Sequence, residues 1–227
     1  MRSRTLLTMM VLAAVASLSC RLGTAEDASS VAADPGDVLS QPELATATAP
    51  DTFDVELVTS KGTVTIRVHR EWAPHGADRF YNLVRAGYYD GCRFFRVIEG
   101  FMAQVGMHPE PTVNAAWSAV PIKDDPIVVP NLRGRVTFAA RSAPGSRTTQ
   151  FFVNTADNTR LAQHGPFAPF GEVIAGMEVV DALYADYGEG APAGRGPSQQ
   201  RLAAEGNEYL AREFPDLDAI LSARLVE

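Results

Sequence analysis

The sequence predicts a mainly β domain, an antiparallel barrel or sandwich, running from residue 52 to the last residue, 227. Short runs of alternating apolar and polar residues are spread over this whole region, from Phe53 to Val226, as strands of a half-buried antiparallel sheet require. Only two windows carry strong helical spacing, one opening at Pro74 and one at Met177. Strands and helices do not alternate as they would in βαβ units, so a doubly wound parallel sheet is excluded.

Phe53, Val55 and Leu57 alternate with polar positions, as do Val64, Ile66 and Val68, and Ser60-Lys61-Gly62 separates the two runs. That is the pattern of a β-hairpin. Pro74 suits the first turn of a helix; Ala77, Phe80, Leu83 and Val84 then fall on one helical face, and Gly87 supplies a stop. Tyr88-Tyr89-Asp90-Gly91 reads as a turn into a strand around Arg93–Ile98. Strict alternation there puts Phe94, Arg96 and Ile98 on one face and Phe95 and Val97 on the other. A cation among Phe and Ile has to reach solvent, find a partner or meet a ligand, because an unpaired buried charge is costly.

A polar, proline-bearing stretch follows to Pro130 and reads as loop; its Asp124-Asp125-Pro126 is a solvated turn in preference to a metal site. Val136, Phe138 and Ala140 alternate as a strand, residues 142–149 are a loop, and Phe151-Phe152-Val153 is a short strand after Gln150. Alternation turns Phe151 into the core and Phe152 away from it. Residues 155–166 form a loop in which His164 is read as decoration; Phe167–Val173 is a strand with Pro169 at an edge or bulge. Met177, Val180 and Leu183 mark the second helix, residues 186–197 a Gly/Pro-rich loop, residues 198–213 a further helix ended by Pro215, and Ala223–Val226 a closing strand.

The N-terminus reads as an export signal, residues 1–19: Arg2 and Arg4 precede an apolar run from Leu6 to Leu18. That run is shorter than the roughly 20 residues that span a bilayer. Ser17-Leu18-Ser19-Cys20 resembles a bacterial lipobox with Ser17 where leucine is usual. Cleavage before Cys20 without a lipid, or after Ala25, are the alternatives; lipidation of Cys20 is the expectation, placing the protein in the periplasm or cell envelope with its only membrane attachment through that lipid. Residues 20–51 are low in complexity, and residues 21–51 carry six acidic residues against one arginine. They are expected to form a disordered tether, because they offer too little apolar area to offset chain entropy.

The remaining composition excludes several function classes. The chain has 227 residues, a net charge of −7 and no basic run outside the N-terminus, so a charged nucleic-acid face is not expected. Two cysteines, Cys20 and Cys92, build no disulfide framework. His69, His75, His108 and His164 lack metal-ligand spacing. No GxSxG, Walker, GxGxxG or HExxH pattern occurs.

Three blocks occur in order: FFRVIEGFMAQVG at 94–106, GRVTFAAR at 134–141 with TTQFFVNT at 148–155, and PFGEVIAGMEVVDAL at 169–183. Together they resemble a cyclophilin-type peptidyl-prolyl isomerase over about residues 53–227. The resemblance implies a closed eight-stranded antiparallel β-barrel capped by two helices, with a helical insertion before the last strand. It implies that Arg96 is the catalytic arginine, with Gln104 orienting it. It implies that Phe101, Met102, Phe152 and Leu161 wall a proline pocket, that Gln150 holds the peptide, and that Ala139 and Ala140 offer backbone to the substrate backbone. Phe167 falls where many eukaryotic members have histidine, Arg160 where they have a tryptophan that helps bind cyclosporin, Ala140 where asparagine is frequent, and Thr149 where serine is usual. The implied partners are proline-containing unfolded or partly folded polypeptides; nothing in the sequence indicates oligomerisation, and a monomer is the default expectation. Rotation about an X–Pro bond breaks no bond, so no metal or cofactor is expected. The alternatives left open are a non-catalytic module or holdase that binds proline segments, and a lipocalin-like barrel storing a small ligand.

Overall fold

The computed structural model describes residues 35–141 and 143–226. The predicted signal peptide, Cys20 and the first part of the predicted tether lie outside them. Eight strands form one antiparallel sheet in the order β3-β4-β6-β5-β7-β2-β1-β8: β1 Thr52–Thr59, β2 Gly62–His69, β3 Arg96–Ile98, β4 Met102–Val105, β5 Arg135–Phe138, β6 Phe151–Asn154, β7 Pro169–Ala175 and β8 Ile220–Leu225. The helices are α1 Pro35–Ser40, α2 Pro74–Arg85, α3 Pro111–Ser118, α4 Met177–Asp181 and α5 Gln199–Glu213.

The predicted hairpin is β1–β2, in register from Thr52↔His69 to Thr59↔Gly62. Val55, Leu57, Val64, Ile66 and Val68 are buried, as the period of two requires. The concave side of the sheet is filled by aromatic rings: Phe80 from α2 packs on Tyr89, Phe151 and Phe170 at centroid distances of 5.4, 5.4 and 4.9 Å. Phe151 is fully buried there. Pro169 sits opposite Thr137, where the β5–β7 register shifts, so the bulge reading holds while β7 itself lies inside the sheet.

The eight antiparallel strands form a curled half-barrel, the coarser form of the expected barrel. β3 and β8 stand at the two ends of the strand order with no ladder between them. The chain just before β3 meets the start of β8: Gly91 N donates to Ile220 O (2.8 Å), Ile220 N to Cys92 O (2.9 Å) and Phe94 N to Asp218 O (2.9 Å). This contact also breaks the predicted alternation. Regular strand geometry begins only at Arg96, so Phe94 joins the main core with Val97, and Phe95 packs in a second cluster with Leu202, Tyr209 and Leu210 of α5. α5 bends at Gly206, whose φ of +62° is left-handed and favours glycine. A Cβ there would collide with the Pro109 carbonyl.

Three sequence expectations need correction. Residues 35–51 are not a free tether: α1 and the following turn lie against the domain, Trp117 Nε1 donates to Leu39 O (3.0 Å), Asn82 brackets Ala47, and Asp78 accepts from Ala49 N (2.8 Å). The stretch before Pro130 contains α3, whose Trp117 is fully buried. Asp125 is not in a solvated turn: it is buried, and its carboxylate accepts from His75 N (3.0 Å) and Gly76 N (2.9 Å) at the start of α2.

Candidate functional site

Cross-strand pairing assembles the site. Arg96 on β3 stands opposite Gln104 on β4, and Gln104 opposite Phe152 on β6. Directly opposed residues share a sheet face, so a cation, an amide and an aromatic ring form one row. Arg96 Nη1 donates to Gln104 Oε1 (3.0 Å) and lies 3.9 Å from Met102 Sδ. Gln104 Nε2 then donates to Gln150 Oε1 (2.9 Å), just before β6. Gln104 is buried, and this chain satisfies both ends of its amide.

Backbone bonds hold the apolar walls. The Phe101 carbonyl accepts from Thr155 N (3.0 Å) and Asn158 Nδ2 (2.7 Å), so the ring sits 6.0 Å from the Arg96 guanidinium carbon. The Phe167 carbonyl accepts from Asn131 Nδ2 (2.8 Å), and Asn131 Oδ1 accepts from Thr137 Oγ1 (2.7 Å) in the core. Phe167 then meets Phe152 edge-on at 6.1 Å. Ala139 N donates to Gln150 O (2.8 Å), which lays residues 139–140 along the rim. Thr149 is buried, donating to Gly106 O (2.8 Å) and accepting from Tyr88 Oη (3.2 Å).

All ten residues predicted as catalytic or substrate-binding line one cleft of about 710 Å³: Arg96, Phe101, Met102, Gln104, Ala139, Ala140, Gln150, Phe152, Leu161 and Phe167. His164 lines it too, against its reading as loop decoration. Arg160, at the position where family members have a tryptophan, is exposed and is not part of the lining. Gln199, at the start of α5, also reaches the cleft.

Sequence reasoning missed one contact altogether. Glu189, in the Gly/Pro-rich loop after α4, takes the other edge of Arg96: Oε1 accepts from Nε (2.7 Å) and Oε2 from Nη2 (2.6 Å). Hydrogen bonding to Arg96 holds the Glu189 carboxyl below the usual carboxylate range, against the opposing effect of partial burial. No short motif marks this pair, since its members lie 93 residues apart. Among the described residues no group of histidine, cysteine, aspartate and glutamate is placed to hold a metal ion. Cys92 is buried and free, and desolvation pushes its thiol up. Within the cleft a fixed cation, Arg96, stands beside an apolar hollow.

Residues 53–200 match the family model of the cyclophilin-type peptidyl-prolyl cis-trans isomerases. The chain is 38% identical over 133 residues to a peptidyl-prolyl cis-trans isomerase of Acinetobacter baylyi, covering 57% of this chain and 70% of that protein. It is 34% identical over 154 residues to peptidyl-prolyl cis-trans isomerase B of Escherichia coli, covering 65% and 90%. Among solved structures, a cyclophilin-type isomerase of Cryptosporidium parvum crystallised in the presence of the dipeptide Ala-Pro matches with a TM-score of 0.55 at 20% identity, over 77% of this chain and 99% of the other.

Proposed function

The chain belongs to the cyclophilin-type peptidyl-prolyl cis-trans isomerases, and on that premise we propose that its cleft accelerates X–Pro rotation in unfolded or partly folded polypeptides, with Arg96 stabilising the twisted amide. The observation that carries this reading is the Arg96 guanidinium held by Gln104 beside Phe101, Met102 and Phe152.

The barrier to rotation is about 18–20 kcal/mol, because the C–N bond has partial double character, and uncatalysed exchange takes roughly tens to hundreds of seconds. In the twisted state the prolyl nitrogen becomes pyramidal and its lone pair leaves the amide resonance. An N–H of a fixed guanidinium directed at that lone pair binds the twisted state more tightly than either planar state, and such differential binding lowers the barrier. Arginine suits the task because it stays charged and has donors to spare for its own anchoring. The apolar walls grip the ring, Gln150 and the rim at Ala139 and Ala140 hold the peptide backbone, and the acyl side turns.

Exchange rates on a proline peptide test this. The wild type is expected to accelerate interconversion, and Arg96→Ala to slow it by about 100- to 1,000-fold, the range for losing one preorganised donor. Equal rates for the two would remove the catalytic role of Arg96. Two finer readings accompany the proposal. The bonds between residues 91–94 and 218–220 support closure of the half-barrel into a full one. The N-terminal pattern supports an exported protein, acting on exported clients and lipid-anchored through Cys20 in the periplasm or cell envelope, and the mass of the mature N-terminus tests it.

A further inference from the structure

The loop after α4 reaches back over β3 and places one carboxylate on the arginine of the cleft. We propose that Glu189 is a positioning residue for the isomerisation, fixing the Arg96 guanidinium so that its remaining donors face the prolyl nitrogen. The inference rests on the catalytic reading of Arg96 given above.

A guanidinium has five N–H groups. Glu189 takes the one on Nε and one on Nη2, and Gln104 takes one on Nη1. The second hydrogen on Nη1 has only the weak thioether acceptor Met102 Sδ at 3.9 Å, and one hydrogen on Nη2 is left; Arg96 lines the cleft. Glu189 itself is not part of that lining, so it braces the arginine without occupying the substrate's space. A free arginine carries substantial rotamer entropy, and its planar fork gains most from a bidentate partner. Held by a carboxylate on one edge and an amide on another, the plane of the guanidinium is set before substrate arrives, which is where preorganised electrostatics gains its effect. The carboxylate also offsets part of the positive charge, so the arrangement favours direction over field strength.

The loop is shaped to hold the carboxylate there. Gly190 N donates to Glu189 Oε1 (2.8 Å) and Gly196 N to Glu189 O (2.8 Å). A Cβ at Gly194 would collide with the Glu189 carbonyl and Cβ, so the loop closes on Glu189 only with glycine at that position. Glu189 is 38% exposed, and the pair's stabilising effect on the fold is correspondingly small. Its role is therefore to be read in turnover.

The test measures kcat on an Ala-Pro-containing peptide, with affinity for the same peptide measured separately by titration. Glu189→Gln keeps the side chain's size but sets an amide donor against an arginine donor. It is expected to lower kcat by about 10- to 100-fold, the upper end being the cost of a 1 Å misplacement, while leaving peptide affinity within about twofold because the cleft walls are untouched. Gly194→Ala, which displaces the loop without altering the carboxylate, is expected to lower kcat in the same sense at unchanged affinity. A Glu189→Gln protein with wild-type or faster kcat would overturn the proposal, as would a loss of affinity parallel to the loss of kcat, which marks a collapsed cleft. Arg96→Ala measured alongside separates the two readings: a slow Arg96→Ala with a normal Glu189→Gln overturns only the positioning role, whereas a normal Arg96→Ala overturns both.

Discussion

Arg147 and Asp125 form an ion pair at 3.0 Å whose side chains are 0% and 1% exposed. Arg147 also donates to the Lys123 carbonyl, and Asp125 accepts from the first amides of α2. Asp125 thereby caps a helix whose His75 amide lies 50 residues before it, a placement in which the helix dipole favours the anion. The pair fastens the segment around Asp125 to residues 144–148, which form one wall of the cleft.

Removing Asp125 leaves the buried Arg147 guanidinium with Asp124 alone, 3.4 Å from its Nε, and breaking a buried pair costs up to about 3–5 kcal/mol. Asp125→Ala is therefore expected to lower the unfolding free energy by up to that amount, read as a fall in the urea midpoint equal to that cost divided by the wild-type slope. A change below about 1 kcal/mol would mean that water reaches Arg147 once the carboxylate is gone.

Asn82 and Asp78 make a second prediction about residues 45–49. Asn82 donates to Ala47 O (2.7 Å) and accepts from Ala47 N (3.2 Å), and Asp78 accepts from Ala49 N and pairs with Arg70. Asn82→Ala is expected to free this stretch, read as faster proteolysis between residues 45 and 51 with the domain intact. Burial raises the Asp78 carboxyl, but bonds from Arg70 and Ala49 outweigh it and hold the net value below its ordinary 3.8. A carboxyl depressed by folding contributes stability above its unfolded pKa and loses it as pH falls through the folded one. The Ala49 amide is thus expected to stay protected at pH 5 and to exchange faster only below about pH 4. Loss of protection already at pH 5 would contradict the pairing.

How much of this was legible in the sequence depends on how far apart the contacting groups lie and whether side chains carry them. β1 and β2 are local, and their alternation suffices. Eight of the ten cleft residues fall in the first two blocks, which pair across β4 and β6, so those blocks reveal them together; Leu161 and Phe167 lie between the second block and the third. Glu189 meets Arg96 across a loop whose course is set by α5 packing on Phe95, and no local pattern encodes that. The docking of residues 35–51 uses the backbone of Leu39, Ala47 and Ala49, and backbone groups leave no trace in composition. The short α3, opened by Pro111, has too few turns for a period to stand out.

Gln104 supplies a prediction about rate. Its Oε1 fixes Arg96 Nη1, and its own amide is fixed by Gln150. Gln104→Ala leaves the guanidinium tethered on one edge alone. The expected result is a kcat lowered by about 10- to 100-fold, the upper end being the cost of a 1 Å misplacement, with KM within about twofold, measured by exchange spectroscopy on a proline peptide. A rise in KM at constant kcat would assign Gln104 to substrate binding instead.

Phe152 is expected to behave in the opposite way. Its ring is 5% exposed, lines the cleft and packs edge-on against Phe167. The proline ring keeps the same shape while the amide twists, so an apolar wall grips it equally in the planar and twisted states. An interaction of equal strength in both states sets KM and leaves kcat alone. Truncation to alanine would confound the test, because removing a buried phenylalanine costs about 3–5 kcal/mol of stability. Phe152→Leu retains most of the volume and loses the flat face. Its KM is expected to rise several-fold, by about 1 kcal/mol of lost aromatic contact, with kcat within twofold of wild type. Should kcat fall while KM holds, the ring would be acting on the twisted state itself, either by shaping the field around Arg96 or by pressing on the turning bond, and the division of labour between the polar row and the apolar walls would have to be redrawn.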